Sequence, residues 1–144
     1  MKALPKSVLF VCYLNSIRSP MAEGIMRKLY PNVQSRSCGM ASGELDDLMV
    51  AVMREKNIDM SQHSAQTLGD VSDYPFDIVI AFTDAAGSAA EAAFYDSATV
   101  VERWPIPDPT HGSLDVRAMM NNYRAIRDNI EARLKRRFGQ AFME

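Results

Sequence analysis

Residues 7–20 constrain this chain more than any other segment, because they join a buried strand, a short loop and the start of a helix. After its first residue the run Ser7–Cys12 is apolar without alternation, as expected of a strand in a parallel sheet covered on both faces. The backbone N–H groups of the loop and the dipole of the following helix would point towards one place. We therefore expect an anion-binding site at the end of this strand.

Cys12 and Arg18 supply the expected site with reactive groups. The positive field of the loop favours the thiolate of Cys12, which is the form that attacks an electrophile. The planar guanidinium of Arg18 matches two oxygens of a phosphate or another tetrahedral oxyanion. Cys12 taken alone would be a small buried hydrophobic residue at a strand end. A nucleophile beneath a bound oxyanion instead predicts a phosphatase-like enzyme.

The composition permits this interpretation and excludes several other classes of function. With a net charge of −2, the chain as a whole is not expected to bind nucleic acid. No apolar run approaches the ~20 residues of a membrane span, and the N-terminus does not read as a secretory signal. Two cysteines favour a reducing cytoplasm over a disulfide framework. We expect a cytoplasmic monomer that does not associate with membranes.

Candidate metal ligands lack the paired spacing of known metal sites. They are Cys12, Cys38, His63 and His111. We therefore expect neither a metal nor a cofactor.

Strand and helix patterns alternate along the whole chain, with no repeat or linker to divide it. This order predicts right-handed crossovers and one domain over residues 1–144, a three-layer doubly wound α/β sandwich with a four-stranded parallel sheet and helices on both faces. Strands are expected at 7–12, 33–37, 77–82 and 99–104. A first helix is expected to start from an N-cap at Ser19, and a second to cover 45–53. A third is expected to run from a cap at Asp84 to about Tyr95, and a fourth from near Ser113 to Gly139. In such sheets the active crevice lies beyond the C-terminal strand ends, where Cys12 and Asp108 both fall.

Four motifs, in order and with fitting spacing, resemble those of the low-molecular-weight protein tyrosine phosphatases, whose relatives include arsenate reductases. Residues 8–12 with Asn15 and 18–23 resemble the phosphate-binding signature of that family. Ser37-Cys38-Gly39 resembles its Ser-Ala-Gly step, and residues 60–63 resemble the Ser-x-His of bacterial members. Residues 104–109 resemble the Asp-Pro loop that carries the general acid. The resemblance covers nearly the whole chain.

The resemblance implies three catalytic residues. Cys12 would be the nucleophile that forms a phosphocysteine, and Arg18 would hold the phosphoryl oxygens. Asp108 would donate a proton to the leaving oxygen and then take one from the attacking water. Asp108 read without the resemblance would merely start a turn before Pro109. Transfer through sulfur in two steps needs no metal.

The resemblance also implies the residues that bind and support the phosphoryl group. Ser19 would donate to the thiolate, Asn15 would hold the loop in its unusual backbone shape, and Ser37 and His63 would brace Asn15. Phosphate would be bound by Tyr13, Leu14, Asn15, Ser16, Ile17, Arg18 and Ser19.

Three positions depart from the family pattern. Leu14 stands where glycine is usual, so a positive φ there would be strained. Ile17 replaces a second cysteine, which leaves Cys12 without an adjacent thiol to trap its oxidised form. Thr110 and His111 replace the two tyrosines of eukaryotic members, so Tyr13 is the aromatic residue left to contact a phosphotyrosine ring.

Three functions from different classes therefore remain open. The first is hydrolysis of phosphotyrosine proteins or small aryl phosphates. The second is reduction of arsenate with an external thiol such as glutathione, because no cysteine follows Cys38 to serve a thioredoxin-coupled reaction. The third is a non-catalytic module that binds phosphate or phosphoproteins, for which Leu14 is the one argument.

Cys12 and Cys38 are expected to end neighbouring strands, where a disulfide is within reach. Successive side chains alternate faces, however, and the resemblance assigns Ser37 rather than Cys38 to the catalytic side. We expect no disulfide between them, so peroxide should drive Cys12 irreversibly to the sulfinic acid.

Overall fold

The structure is a computed structural model that describes residues 4–110, 112 and 115–139. Apolar runs form its strands, and the segments with helical spacing pack against both faces of the resulting sheet. The elements are β1 (Ser7–Cys12), α1 (Arg18–Leu29), β2 (Gln34–Gly39), α2 (Asp47–Arg54), α3 (Leu68–Val71), β3 (Ile78–Ala81), α4 (Asp84–Ala93), β4 (Val100–Arg103) and α5 (Val116–Phe138).

The strands form one sheet in the order β2-β1-β3-β4, and every neighbouring pair is parallel. The chain leaves β1 towards one edge, to make β2, and then returns past β1 to make β3. Open parallel sheets bind their ligands outside the C-terminal ends of the strands at such a switch point. Cys12, the last residue of β1, lies there, and the predicted four-stranded parallel sheet is confirmed.

Alternate residues of β1 face two separate hydrophobic cores. Val8, Phe10 and Cys12 lie in the core beneath α1, α2 and α5. Leu9 and Val11 lie in the core beneath α3 and α4. This alternation is the reason that β1 is apolar throughout, since both of its faces are covered. The predicted three-layer arrangement is confirmed.

The predicted start of the first helix is wrong in its detail. α1 begins at Arg18, with Ile17 in the N-cap position and no capping bond from a side chain. Ser19, predicted as the cap, lies inside the first turn, where its hydroxyl contacts Cys12 instead. Pro20 still lies in the first turn, where a missing N–H costs nothing.

Other element ends differ by small steps. The strands agree with prediction within about two residues, which is the usual scatter of such assignments. Thr83, rather than Asp84, caps α4, because its hydroxyl accepts from the N–H of Ala86. The short helix α3 was not expected from the apolar pattern. α5 begins at Val116, and Ser113, the predicted start, lies outside the described residues.

Among the described residues, no helix combines the length and the apolarity needed to cross a bilayer.

Candidate active site

Cys12 lies at the floor of a small cavity above the N-terminus of α1. Its side chain is almost completely buried, and its Sγ lies 2.8 Å from the hydroxyl of Ser19. A hydroxyl at this distance can donate to a thiolate, so the contact supports the charged form of Cys12. The same hydroxyl also lies 3.2 Å from the carbonyl oxygen of Cys38. One proton can therefore serve either the sulfur or the carbonyl, according to the charge on Cys12.

The loop between β1 and α1 keeps its backbone donors available. Within the described part of the chain, no hydrogen bond engages the backbone N–H groups of residues 13–18. A buried N–H group needs an acceptor, and a bound oxyanion would provide several. Together with the start of α1, these groups form the cradle that the sequence predicts.

Asn15 fixes the shape of this loop from inside. It is fully buried and has a φ of 57°, a left-handed conformation that asparagine tolerates better than most residues. Its side-chain amide donates to Ser19 Oγ at 2.9 Å, and its Oδ1 accepts from the N–H of Gln66 at 2.9 Å. Its carbonyl oxygen lies 3.0 Å from His63 Nε2. Because a carbonyl only accepts, Nε2 must carry the proton of this bond.

Ser37 and His63 lie near this network, but Ser37 acts on a different partner from the one expected. Its hydroxyl donates to Glu23 Oε1 at 2.5 Å rather than to Asn15. The same carboxylate oxygen lies 3.7 Å from His63 Nδ1. Ser37 therefore touches Glu23, Glu23 faces His63, and only His63 reaches the loop.

Leu14 does not disturb the loop in the way a positive φ would. Among the described non-glycine residues, only Asn15 and Asn57 have a positive φ, so Leu14 adopts an ordinary conformation. Its carbonyl oxygen accepts from the N–H of Gly43 at 2.8 Å, and its side chain lies against that glycine. The loop thus accommodates leucine where the resembling family has glycine.

Gly39 allows the segment after β2 to approach the loop closely. A Cβ at this position would come within 2.6 Å of the carbonyl oxygen of Tyr13 and within 2.7 Å of the N–H nitrogen of Asn15. Both are backbone atoms and cannot move aside cheaply. Beyond Gly39, the N–H groups of Met40 and Ala41 donate to the carbonyl oxygens of Cys12 and Tyr13. The loop is therefore bound along its outer side as well.

Arg18 joins the phosphate loop to the segment that follows β4. One terminal nitrogen of its guanidinium donates to the carbonyl oxygen of Ile106 at 2.9 Å. The side chain is half-buried, and it also lines the cavity above Cys12. A guanidinium has five N–H groups, so this bond leaves others for an oxyanion.

Asp108 lines the same cavity. Its Oδ1 accepts from both the backbone N–H and the hydroxyl of Thr110, at 2.9 and 2.7 Å. The cavity measures about 60 Å³, far below the ~300–1,000 Å³ of pockets for drug-sized ligands, which suits a small oxyanion. Its walls are formed by Cys12, Tyr13, Leu14, Ser16, Ile17, Arg18 and Asp108. His111, which follows this segment, lies outside the described residues.

Cys38 is separated from Cys12 by the sheet itself. Both cysteines are free, and they pack in the two different cores. Burial, with the nearby Cys12 as a second cause, raises the pKa of the Cys38 thiol to about 12, so Cys38 stays protonated and unreactive. The expectation that Cys12 stays uncoupled from Cys38 under peroxide remains a prediction.

Two residues of the network escaped the sequence patterns. Glu23 lies one helical turn after Ser19, and this spacing placed it on the face of α1 that meets the loop. Gln66 contributes only its backbone N–H to Asn15, so no side-chain pattern could reveal it. Within the described residues there is no group of three side chains that could ligate a metal ion.

A buried cysteine, a helix N-terminus, an arginine and a carboxylate around one small cavity define a class of enzymes that act on tetrahedral oxyanions. The chain belongs to the low molecular weight phosphotyrosine protein phosphatase family, whose model matches residues 7–142. Its named relatives are phosphatases and arsenate reductases, so the protein is an enzyme of that kind.

The relatives differ in what they act on and in how much of the chain they match. A glutaredoxin arsenate reductase of a Synechocystis species is 28% identical over 90% of this chain and 94% of its own. A protein-arginine-phosphatase of Geobacillus stearothermophilus is 30% identical over 92% of this chain and 94% of its own. A probable low molecular weight protein-tyrosine-phosphatase of Ralstonia solanacearum is 42% identical, but over only 44% of this chain and 46% of its own.

A solved arsenate reductase in its phosphate-binding state has the same fold. It superposes with a TM-score of 0.77 at 27% identity, over 92% of this chain and 96% of that one. The family thus includes a member of this architecture captured with phosphate.

Proposed function

We propose that the protein is a phosphomonoester hydrolase of the protein-tyrosine-phosphatase type, with Cys12 as nucleophile and Asp108 as general acid. One observation carries the proposal: Asp108, far away in sequence, lines the same cavity of about 60 Å³ at the N-terminus of α1 as Cys12 and Arg18. The family places the chain among phosphatases and arsenate reductases.

In the first step the thiolate of Cys12 attacks phosphorus. The S–P bond forms as the bond to the leaving oxygen breaks, and Asp108 gives that oxygen its proton. The loop N–H groups and Arg18 stabilise the charge on the three remaining phosphoryl oxygens. The segment of Asp108 is linked to Arg18 through Ile106, which supports a common alignment of acid and cradle.

In the second step Asp108, now a carboxylate, takes a proton from water. The water oxygen attacks phosphorus, the S–P bond breaks, and phosphate leaves. Ser19, 2.8 Å from the sulfur, donates to the departing thiolate and stabilises it. Both steps use only groups of this chain.

A second candidate is arsenate reduction, which is favoured by the whole-chain match to arsenate reductases. Cys12 would add to arsenate with loss of water. The thiolate of an external thiol such as glutathione would then attack the Cys12 sulfur, so that an S–S bond forms, the S–As bond breaks and arsenite leaves with the electron pair. A second external thiol would reduce this mixed disulfide and free Cys12. Two thiols would be oxidised to one disulfide as As(V) becomes As(III). Cys38 is buried in the other core, so the chain offers no second thiol of its own.

The match to a protein-arginine-phosphatase widens the choice of leaving group. With phosphoarginine the same two steps would break a P–N bond, and Asp108 would protonate nitrogen instead of oxygen. The ordinary backbone conformation of Leu14 removes the argument for a non-catalytic binding module.

The test is a parallel assay of the pure protein on four substrates. They are p-nitrophenyl phosphate, a phosphotyrosine peptide, a phosphoarginine peptide, and arsenate with glutathione, each run beside Cys12→Ser. We expect Cys12-dependent release of phosphate from the aryl phosphate and the phosphotyrosine peptide. Reduction of arsenate as the only Cys12-dependent reaction would replace the first proposal by the second, and binding of phosphate without any turnover would refute both.

A further inference from the structure

Two neighbouring residues of α5 contact the segment that carries Asp108 and the end of the segment that runs along the phosphate loop. The side-chain amide of Asn122 donates to the carbonyl oxygen of Pro109 at 3.3 Å, directly after Asp108. The hydroxyl of Tyr123 donates to Asp46 Oδ2 at 2.9 Å. Helix α5 otherwise packs on α1 and α2, so it is a fixed support for both contacts.

The Tyr123 bond is partly buried. The side chain is 1% exposed, and it lies in the same core as Cys12. The other oxygen of Asp46 accepts from the N–H of Met49 and caps α2, so Asp46 cannot turn away without losing that cap. Burial, the hydrogen bond to Asp46 and the charges of Asp46 and Asp108 raise the pKa of Tyr123. Its hydroxyl therefore keeps its proton, and Asp108 contributes to the raised pKa through its charge.

Asp46 also ends the segment that lies along the phosphate loop. That segment starts at Met40 and Ala41, which donate to the carbonyl oxygens of Cys12 and Tyr13. A single stretch of α5 is thus bonded to the end of the segment that runs along the phosphate loop and to the segment that carries Asp108.

We propose that Asn122 and Tyr123 are positioning residues that hold Asp108 at the correct place relative to Cys12. The inference rests on the proposed function, in which Asp108 is the proton donor. Neither residue is among those that line the cavity. Proton transfer needs heavy atoms within about 2.6–3.2 Å, and a displacement of about 1 Å can cost ~10²-fold in rate. The bond from Arg18 to Ile106 holds the start of the acid segment, Asn122 holds its end at Pro109, and Tyr123 fixes the same stretch of α5 to Asp46.

The test compares Tyr123→Phe and Asn122→Ala with two matched controls. Tyr74→Phe removes a tyrosine hydroxyl that bonds Gln34, and Asn121→Ala removes the neighbouring amide, which bonds Arg124. Each variant is assayed on aryl phosphates of rising phenol pKa, together with its thermal unfolding and its inhibition by inorganic phosphate. We expect kcat to fall by about tenfold for the poorest leaving groups and by less than about twofold for p-nitrophenyl phosphate. The phosphate inhibition constant and both controls should stay at the wild-type value.

An equal loss across the series, or no loss at all, would overturn the positioning role. Asn122 is half-buried, so Asn122→Ala tests the inference even if Tyr123→Phe folds poorly. Asp108→Asn in the same series separates this inference from the proposed function. If the loss in kcat of Asp108→Asn did not depend on the leaving group, Asp108 would not be the general acid. If it did depend on the leaving group for Asp108→Asn but not for Tyr123→Phe and Asn122→Ala, only the positioning role would be refuted.

Discussion

The phosphate loop (residues 13–18) and the acid segment (residues 106–109) both contribute to the cavity, but they are held in different ways. The phosphate loop is bonded on every side: Asn15 lies inside it, Ser19 lies beneath it, and the strand extension after Gly39 runs along it. The acid segment is bonded mainly to distant elements: Ile106 accepts from Arg18 and donates its N–H to Phe82, and Pro109 accepts from Asn122 on α5. Asp108 is in addition turned back onto Thr110.

This difference matches what each side must do. An oxyanion cradle stabilises charge best when its donors are already in place, because nothing must reorganise during the reaction. A proton donor must instead meet leaving groups of different size, and it must serve again as a base for water. The acid segment is therefore expected to set how the rate depends on the leaving group. The phosphate loop is expected to set the rate for all leaving groups alike.

Removal of the nucleophile should have the largest effect. Cys12→Ser keeps the shape of the floor but replaces sulfur by a hydroxyl without a nearby base, so kcat should fall by about 10⁴-fold or more. Phosphate binding, followed by calorimetry, should remain. Cys38→Ser is the matched control, and more than a trace of activity in Cys12→Ser would refute the phosphocysteine route.

Arg18→Lys should have the next largest effect, because the Arg18 side chain belongs to the phosphate loop and also bonds the acid segment. A lysine ammonium is a point charge that cannot make the forked contact and also reach Ile106. We expect kcat/KM to fall by about 10²–10³-fold for every leaving group. Arg103→Lys, on the far side of the sheet near α4, serves as the control. A loss confined to poor leaving groups would place Arg18 on the acid side only.

Asp108→Asn should divide the substrates by leaving group. Poor leaving groups need the proton and should lose about 10²-fold or more in kcat, whereas good ones should lose little. The measurement is the slope of log kcat against the pKa of the leaving phenol, with exposed Asp96→Asn as control. A parallel shift of the whole series would remove Asp108 from the acid role.

The smallest effect is expected from a substitution at Gly39 that crowds the backbone of the phosphate loop. Gly39→Ala forces a Cβ against backbone atoms of Tyr13, Asn15 and Ala41, so the free energy of unfolding should fall by about 1–3 kcal/mol. Gly69→Ala meets only the Thr67 hydroxyl, at 3.8 Å, and should change it by at most about 1 kcal/mol. Chemical denaturation checks both. Equal stability of the two variants would show that the loop yields more easily than its contacts indicate.

The two regions also differ in how far the sequence reveals them. The strand, the cysteine and the arginine of the phosphate loop are contiguous, so local patterns predict their arrangement. Ser19 was predicted as a helix cap, because a serine before a proline has that local preference, and this is wrong. The contact of Ser19 with Cys12 was expected only from the resemblance, and the structure shows it. Ser37 was expected at Asn15, but Glu23 lies between, and a side chain from another element is invisible to spacing.

The support of the acid segment could not be predicted, because it arises from packing across long separations. Tyr123 lies on the apolar stripe of the last helix, where the sequence indicates core rather than a role in the site, and no sequence pattern singles out Asn122 beside it. Only the docking of α5 brings them to Asp46 and Pro109. Sequence patterns and the resemblance thus predict the nucleophile, its cradle and the place of Asp108, whereas the contacts that hold the segment of Asp108 emerge only from tertiary structure.

The most direct test of the account is to trap the intermediate. Wild-type protein turning over an aryl phosphate is quenched in acid within milliseconds, and its peptides are analysed by mass spectrometry beside Cys12→Ser. The account predicts one phosphoryl group on the peptide that contains Cys12, absent from the Cys38 peptide and from the variant. A phosphoryl group on any other residue, or turnover with no covalent adduct at any time, would contradict it.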